Sequence, residues 1–135
     1  RVNGRRVRIF KRAKVKLVVM NLEFIFKVID QDEWQNAKKS GTYNGSSKDK
    51  KDGYIHFSEE KQVNETLKKY YNKTENLVLL KVHTLHLEHL LWEQASNGDM
   101  YPHLYSPLDI KNVVKEFELN LNDDGIHELP EWLNK

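Results

Sequence analysis

Between residues 22 and 29 the chain reads LEFIFKVI, and no other stretch narrows the possible folds as much. Phe24, Phe26 and Val28 alternate with Ile25, Lys27 and Ile29, so both faces of a period-two strand are apolar. Such a strand must be covered on both sides, which puts it in the middle of a sheet. Lys27 is the exception. A lysine in such a run sits at the sheet's open end, lines a pocket, or snorkels its ammonium out to water. Leu77 to Val82 (LVLLKV) is a second run of the same kind. With 135 residues there is room for one domain and one core.

The segments between and after these runs read as short elements. Asp30 is an N-cap candidate, with Glu33 at capping-box spacing. A helix from Gln31 to Lys39 would bury Trp34 and Ala37 and stop at Gly41. Gly41 to Gly53 is polar and reads as a mobile loop, its Lys48, Lys50 and Lys51 solvated. Val63, Leu67, Tyr70 and Tyr71 form one stripe of a second helix, which Ser58 could cap. Leu91-Trp92-Glu93 and Met100 to Tyr105 read as further strands around a turn at residues 96–99. Val113 to Leu121 alternates as a half-exposed late strand. Leu129, Trp132 and Leu133 could dock as a short helix. Strands and helices are partly segregated, which is α+β rather than alternating α/β.

Asp52-Gly53-Tyr54-Ile55-His56-Phe57-Ser58 is the stretch with the most chemistry. Asp-Gly marks a tight turn, since glycine accepts positive φ. The strand after it would face Ile55 and Phe57 inward and Tyr54, His56 and Ser58 outward, as the wall of a pocket. His83, His86 and His89 recur at intervals of three, but no HExxH or acidic ligand set accompanies them, so they read as surface or connector histidines rather than metal ligands. No P-loop, GxGxxG or GxSxG is present.

Charge is unevenly spread. Residues 1–19 carry eight basic side chains and no acid; the remainder carries 14 lysines against all 20 acids and is net acidic. The N-terminal stretch reads as a basic arm for nucleic acid, as a targeting segment, or as translated sequence ahead of a start at Met20. The switch from arginine to lysine usage favours the last, although Val15–Val19 could add a strand. The organisation expected is therefore a basic extension over 1–19, one α+β domain over 20–122 and a tail over 123–135. Nucleic-acid binding is expected only through residues 1–19. No run reaches the ~18 apolar residues of a membrane span. The absence of cysteine excludes thiol chemistry and fits a cytoplasmic protein.

Lys27, Trp34, Tyr43-x-Gly45-Ser46, Asp52-Gly53-Tyr54-Ile55-His56-x-Ser58, Leu77-Val78-Leu79-Leu80, Trp92-Glu93 and Tyr101-Pro102-His103-Leu104-Tyr105 occur in an order that resembles a small bacterial family, domain of unknown function 952. The resemblance spans about residues 22–119. It implies a compact ADP-ribosyltransferase-like α+β architecture, with a split, twisted antiparallel sheet and two or three short helices. The domain lacks the arginine that opens the motif of some toxin-type transferases; Lys27 is its nearest positional candidate. Glu93 is the match for that superfamily's glutamate.

On that resemblance the ligand to consider is NAD or a related nucleotide, acting as substrate, with ADP-ribosyl transfer or glycohydrolysis as the reaction. Cleaving the nicotinamide–ribose bond creates an oxocarbenium-like centre that a carboxylate stabilises. Glu93 would take that role. His56 and Ser58 would orient ribose hydroxyls, Tyr101 and Tyr105 would stack on a ring, and His103 would serve as acid/base or as a donor to phosphate. The alternatives are a non-catalytic nucleotide-binding module and an accessory interaction domain.

Overall fold

The computed structural model describes residues 23–133. The readings placed on residues 1–22, including the basic extension and a strand at Val15–Val19, lie outside the described residues. The elements in chain order are β1 (Phe24–Asp30), α1 (Gln31–Ser40), β2 (Thr42–Tyr43), α2 (Ser47–Asp52), β3 (Ile55–His56), a 3-10 turn (Glu60–Gln62) and α3 (Val63–Tyr70). They continue with β4 (Leu77–His83), β5 (Leu90–Gln94), β6 (Met100–Leu104), β7 (Leu108–Asp109), a 3-10 turn (Ile110–Asn112) and β8 (Val113–Leu119). This is an α+β fold of antiparallel strands and short helices.

The strands form three groups: β1-β4-β8, β3-β6-β5 and the small pair β2-β7. In the first, β4 is central and antiparallel to both neighbours. Its two faces feed two apolar clusters, which is why both long apolar runs lack a polar side. Ile25, Ile29, Val78, Leu80 and Val82 pack against Trp34 and Ala37 of α1 and against Ile55, Phe57 and Leu104 near the second sheet. Phe26, Val28, Leu77 and Leu79 pack on the opposite side against Val63 and Leu67 of α3. The core is thus layered helix and sheet, sheet, helix.

Local signals explain several boundaries. The Asp30 side chain accepts hydrogen bonds from the Asp32 and Glu33 amides, starting α1, and Gly41 ends it with φ +90°. The glutamate expected to complete a capping box is engaged elsewhere: Glu33 Oε1 accepts from the Tyr43 hydroxyl at 3.3 Å. The second helix departs from expectation in its cap too. Glu59, not Ser58, opens the 3-10 turn that leads into α3.

The C-terminal tail packs on the second cluster. Leu133 is buried there, and the Trp132 ring stacks on Phe26 at 6.4 Å and meets Phe117 edge-on at 6.3 Å. His127 Nε2 lies 2.7 Å from the Thr74 carbonyl oxygen, joining the tail to the turn before β4. Since Trp132 is only half-buried, Trp132→Ala is expected to cost about 2 kcal/mol, below the ~3–5 of a fully buried tryptophan. Urea unfolding monitored by circular dichroism would measure it; an unchanged midpoint would show the tail to be detached in solution.

Candidate functional site

Residues 41–53, expected as a mobile loop, instead contain β2 and the two-turn helix α2. The sequence carries the reason. Ser46 and Asp49 form a reciprocal capping box, the Ser46 hydroxyl accepting from the Asp49 amide and the Asp49 carboxylate from the Ser46 amide. At the other end Gly53 (φ +92°) turns the chain out of the helix and into β3. Asp49 therefore faces the protein and is buried, at 2% exposure.

A buried carboxylate demands partners, and Asp49 has several. Lys27 Nζ donates to Asp49 Oδ2 at 2.9 Å and to Oδ1 at 3.2 Å. The His56 amide donates to Oδ1 at 3.1 Å, and His56 Nδ1 lies 2.6 Å from the same oxygen. Lys27 is on the β1 face that carries Ile25 and Ile29, so its ammonium points between the two sheets and is 5% exposed. It lines an interior site and neither snorkels nor lies at an open end. Burial pushes the Lys27 ammonium below its usual range despite the pull of Asp49. Burial by itself would raise the Asp49 carboxyl, but the His56 hydrogen bond and the Lys27 charge outweigh it and hold that carboxyl well below the usual range.

The outer part of the site is built on the second sheet. His56 pairs with His103 across β3 and β6, and Glu93 pairs with Tyr101 across β5 and β6. Residues directly opposite share a face in an antiparallel sheet. Thus His56, His103, Tyr101 and Glu93 occupy one face, while Ile55 and Leu104 feed the core from the other. The imidazole centroids of His56 and His103 are 5.5 Å apart. Tyr54 stacks on His103 at 4.1 Å and also meets His56 at 4.7 Å and Tyr105 at 5.1 Å.

Each histidine is held by acid. Glu93 Oε1 lies 2.8 Å from His103 Nδ1 and accepts the Tyr105 hydroxyl at 2.6 Å. His103 Nδ1 therefore donates, leaving Nε2 as the ring's acceptor; Nε2 makes no hydrogen bond among the described residues. Burial pushes the His103 pKa down against the opposing Glu93 contact, favouring the neutral ring. His56 has carboxylates on both sides, with Asp52 Oδ2 3.0 Å from Nε2. Asp52 also takes Lys48 Nζ at 3.0 Å, and that contact leads the causes holding its carboxyl below the usual range.

Of the residues expected at the site, Glu93, His56, His103 and Tyr105 come together. Lys27 reaches it from beneath through Asp49. Tyr101 shares the face but accepts from Asn97 Nδ2 at 3.3 Å, toward the turn at its edge. Ser58 is not part of it. The strand ends at His56, the Ser58 backbone turns to bridge Phe26, and its hydroxyl contacts Thr66 Oγ1 at 3.0 Å. Asp49 and Asp52 were missed. Their signal was the Ser46-x-x-Asp49 capping spacing, hidden by a polar composition that reads as loop. Of the recurring histidines, His83 contacts Glu23 at 3.2 Å and packs edge-on against Phe24. Among the described residues no group of three His, Asp or Glu is placed to hold a metal ion, and no helix is long and apolar enough to cross a membrane.

A family model described as "Protein of unknown function (DUF952)" matches residues 28–116, more than half of the chain. Among solved structures, the crystal structure of protein CC0527 from Caulobacter crescentus is 40% identical, with a TM-score of 0.74 over 78% of this chain and 93% of that one. The solution NMR structure of CC0527 is 41% identical, with a TM-score of 0.69 over 76% and 90% of the two chains. No curated protein matches the sequence.

Proposed function

This chain belongs to the family described as protein of unknown function (DUF952), and from that premise we propose that it is a small domain that binds NAD or a related nucleotide and cleaves its nicotinamide–ribose bond by glycohydrolysis or ADP-ribosyl transfer. The observation that carries the reading is the facing pair of imidazoles, 5.5 Å apart and each tethered to a carboxylate through Nδ1. Paired titratable groups in different environments are how one site supplies both a base and a donor.

The roles follow from the contacts. His103, neutral and with Nε2 unengaged, is the base. It takes a proton from water, or from an acceptor's hydroxyl, as that oxygen bonds to the ribose anomeric carbon. The electron pair of the broken C–N bond goes to the nicotinamide ring, which leaves neutral, and one proton is released. Glu93 is 24% exposed at its side chain, and its negative charge lies on the same face to offset the cationic sugar. Its contacts also make it the residue that orients His103. His56 hydrogen-bonds a ribose hydroxyl through Nε2, and Tyr54 with Tyr105 offers the flat surface a ring stacks on. Acid outnumbers exposed base here, with Asp52 and Glu93 at the rim, which suits a transition state that gains positive charge.

Ligand binding to the native state raises stability by about 2.7 kcal/mol at a hundredfold excess over Kd. ADP-ribose and NAD are therefore expected to raise Tm by several degrees in a thermal-shift titration, with saturation. An unchanged Tm across millimolar NAD, ADP-ribose and mononucleotides would remove this reading.

A further inference from the structure

The two carboxylates beside the His56 ring differ in kind. Asp49 is nearly inaccessible, lies 2.6 Å from Nδ1, and is anchored by Lys27, by the Ser46 amide at 2.9 Å and by the His56 amide. Nothing about it can exchange without opening the space between the sheets. Asp52 sits on the last turn of α2 with its side chain 31% exposed, and its other partner is Lys48, 58% exposed. Exposed ion pairs of this sort contribute little and are readily given up to water or a ligand. One nitrogen of His56 is thus fixed and the other is covered by a removable group.

We propose that Lys27 and Asp49 are positioning residues that lock the His56 ring with Nδ1 protonated and Nε2 directed to the ligand, and that Asp52 occupies the ligand's place until a ligand oxygen displaces it. The geometry needs both members of the buried pair. A carboxylate alone at 2% exposure would lose its charge to desolvation and with it the strong hydrogen bond to Nδ1. The Lys27 ammonium joins the His56 and Ser46 hydrogen bonds in keeping it ionised, and the main-chain bond from His56 sets the carboxylate in register with the ring above it. Free histidine prefers the Nε2–H tautomer when neutral; a clamped Nδ1–H ring leaves the Nε2 lone pair or proton for the ligand. The groups facing His56 and its anchor are Asp49, Asp52 and Lys48 on α2, Tyr54 before β3, His103 on β6 with Glu93 behind it, and Lys27 on β1 with Glu33 and Tyr43 around the buried pair.

The ligand role of Nε2 rests on the nucleotide-binding reading above, whereas the locked tautomer does not, and the test separates them. Long-range proton–nitrogen NMR of the imidazoles in the ligand-free protein is expected to show the deprotonated form of His56 as Nδ1–H. An Nε2–H ring in the wild type overturns the proposal outright. The double variant Lys27→Met/Asp49→Ala removes both buried charges and is expected to lose the Nδ1–H tautomer. Its retention there would show the pair to be structural only. If the double variant does not fold, Asp52→Ala, a change at the surface, decides the second half. ADP-ribose affinity is expected to rise several-fold when Asp52 no longer competes for Nε2. A fall in affinity would overturn the displacement. Absence of ADP-ribose binding by every form, with the tautomer as predicted, would instead condemn the nucleotide reading and leave the clamp standing.

Discussion

Replacing Lys27 with methionine is expected to lower folding stability by about 3–5 kcal/mol, the cost of leaving one member of a buried ion pair without its partner. Methionine keeps the length and apolar character of the lysine stem, so the loss is that of the charge rather than of packing. Asp49 stays behind at 2% exposure. His56 and the Ser46 amide still reach it, so the carboxylate is not stripped of hydrogen bonds, but it no longer faces an ammonium 2.9 Å away. Urea unfolding should show a lower midpoint with an unchanged slope. A change within 1 kcal/mol would mean that the pair is open to water in solution.

The same residue shapes the response to acid. The Asp49 carboxyl is held below its usual range in the folded protein. Folding stability linked to it is therefore fully present above the unfolded value of ~3.9 and is lost as pH falls through the folded value. Removing Lys27 takes away one of the contacts that hold the carboxyl down, so in the Lys27→Met variant the stability linked to Asp49 is smaller and its loss is complete at higher pH than in the wild type.

Much of the architecture was legible in the chain because each signal had one physical cause. The two apolar runs had no polar face, and they became β1 and β4, neighbours covered on both sides. Asp30 and Gly41 marked the ends of α1 for the reasons caps exist. At the site, the alternation of β3 and β6 placed His56 and His103 on one face, and the spacing of Glu93 with Tyr105 brought a carboxylate to them.

Other parts were hidden by tertiary context. Ser-Ser-Lys-Asp-Lys-Lys-Asp is solvated loop by composition, and only a lysine arriving from residue 27, 22 positions away in sequence, makes Asp49 worth burying. Lys27 alone in an apolar run read as a lysine at an open end, in a pocket or snorkelling to water, because its partner was in the segment read as mobile. Ser58 was placed with His56 by period two, yet the strand is only two residues long and Ser58 itself bridges Phe26. Periodicity cannot show where a strand stops when its next partner lies in another sheet.

His103→Gln is expected to lower nicotinamide release by about 10²–10⁴-fold, the usual contribution of a positioned general base. Glutamine can still hydrogen-bond Glu93, and it leaves Tyr54 an amide to pack on, so folding is preserved while the basic nitrogen is lost. The other groups of the site are committed: Asp49 closes Nδ1 of His56, its Nε2 serves a ribose hydroxyl, and Glu93 Oε1 is engaged by Tyr105. The direct measurement is nicotinamide release from saturating NAD by the wild type and by His103→Gln side by side, with both proteins shown to be folded by circular dichroism. The account predicts saturable release by the wild type and a rate at least a hundredfold lower in the variant. Equal rates in the two proteins, or ADP-ribose binding without release by either, would contradict it.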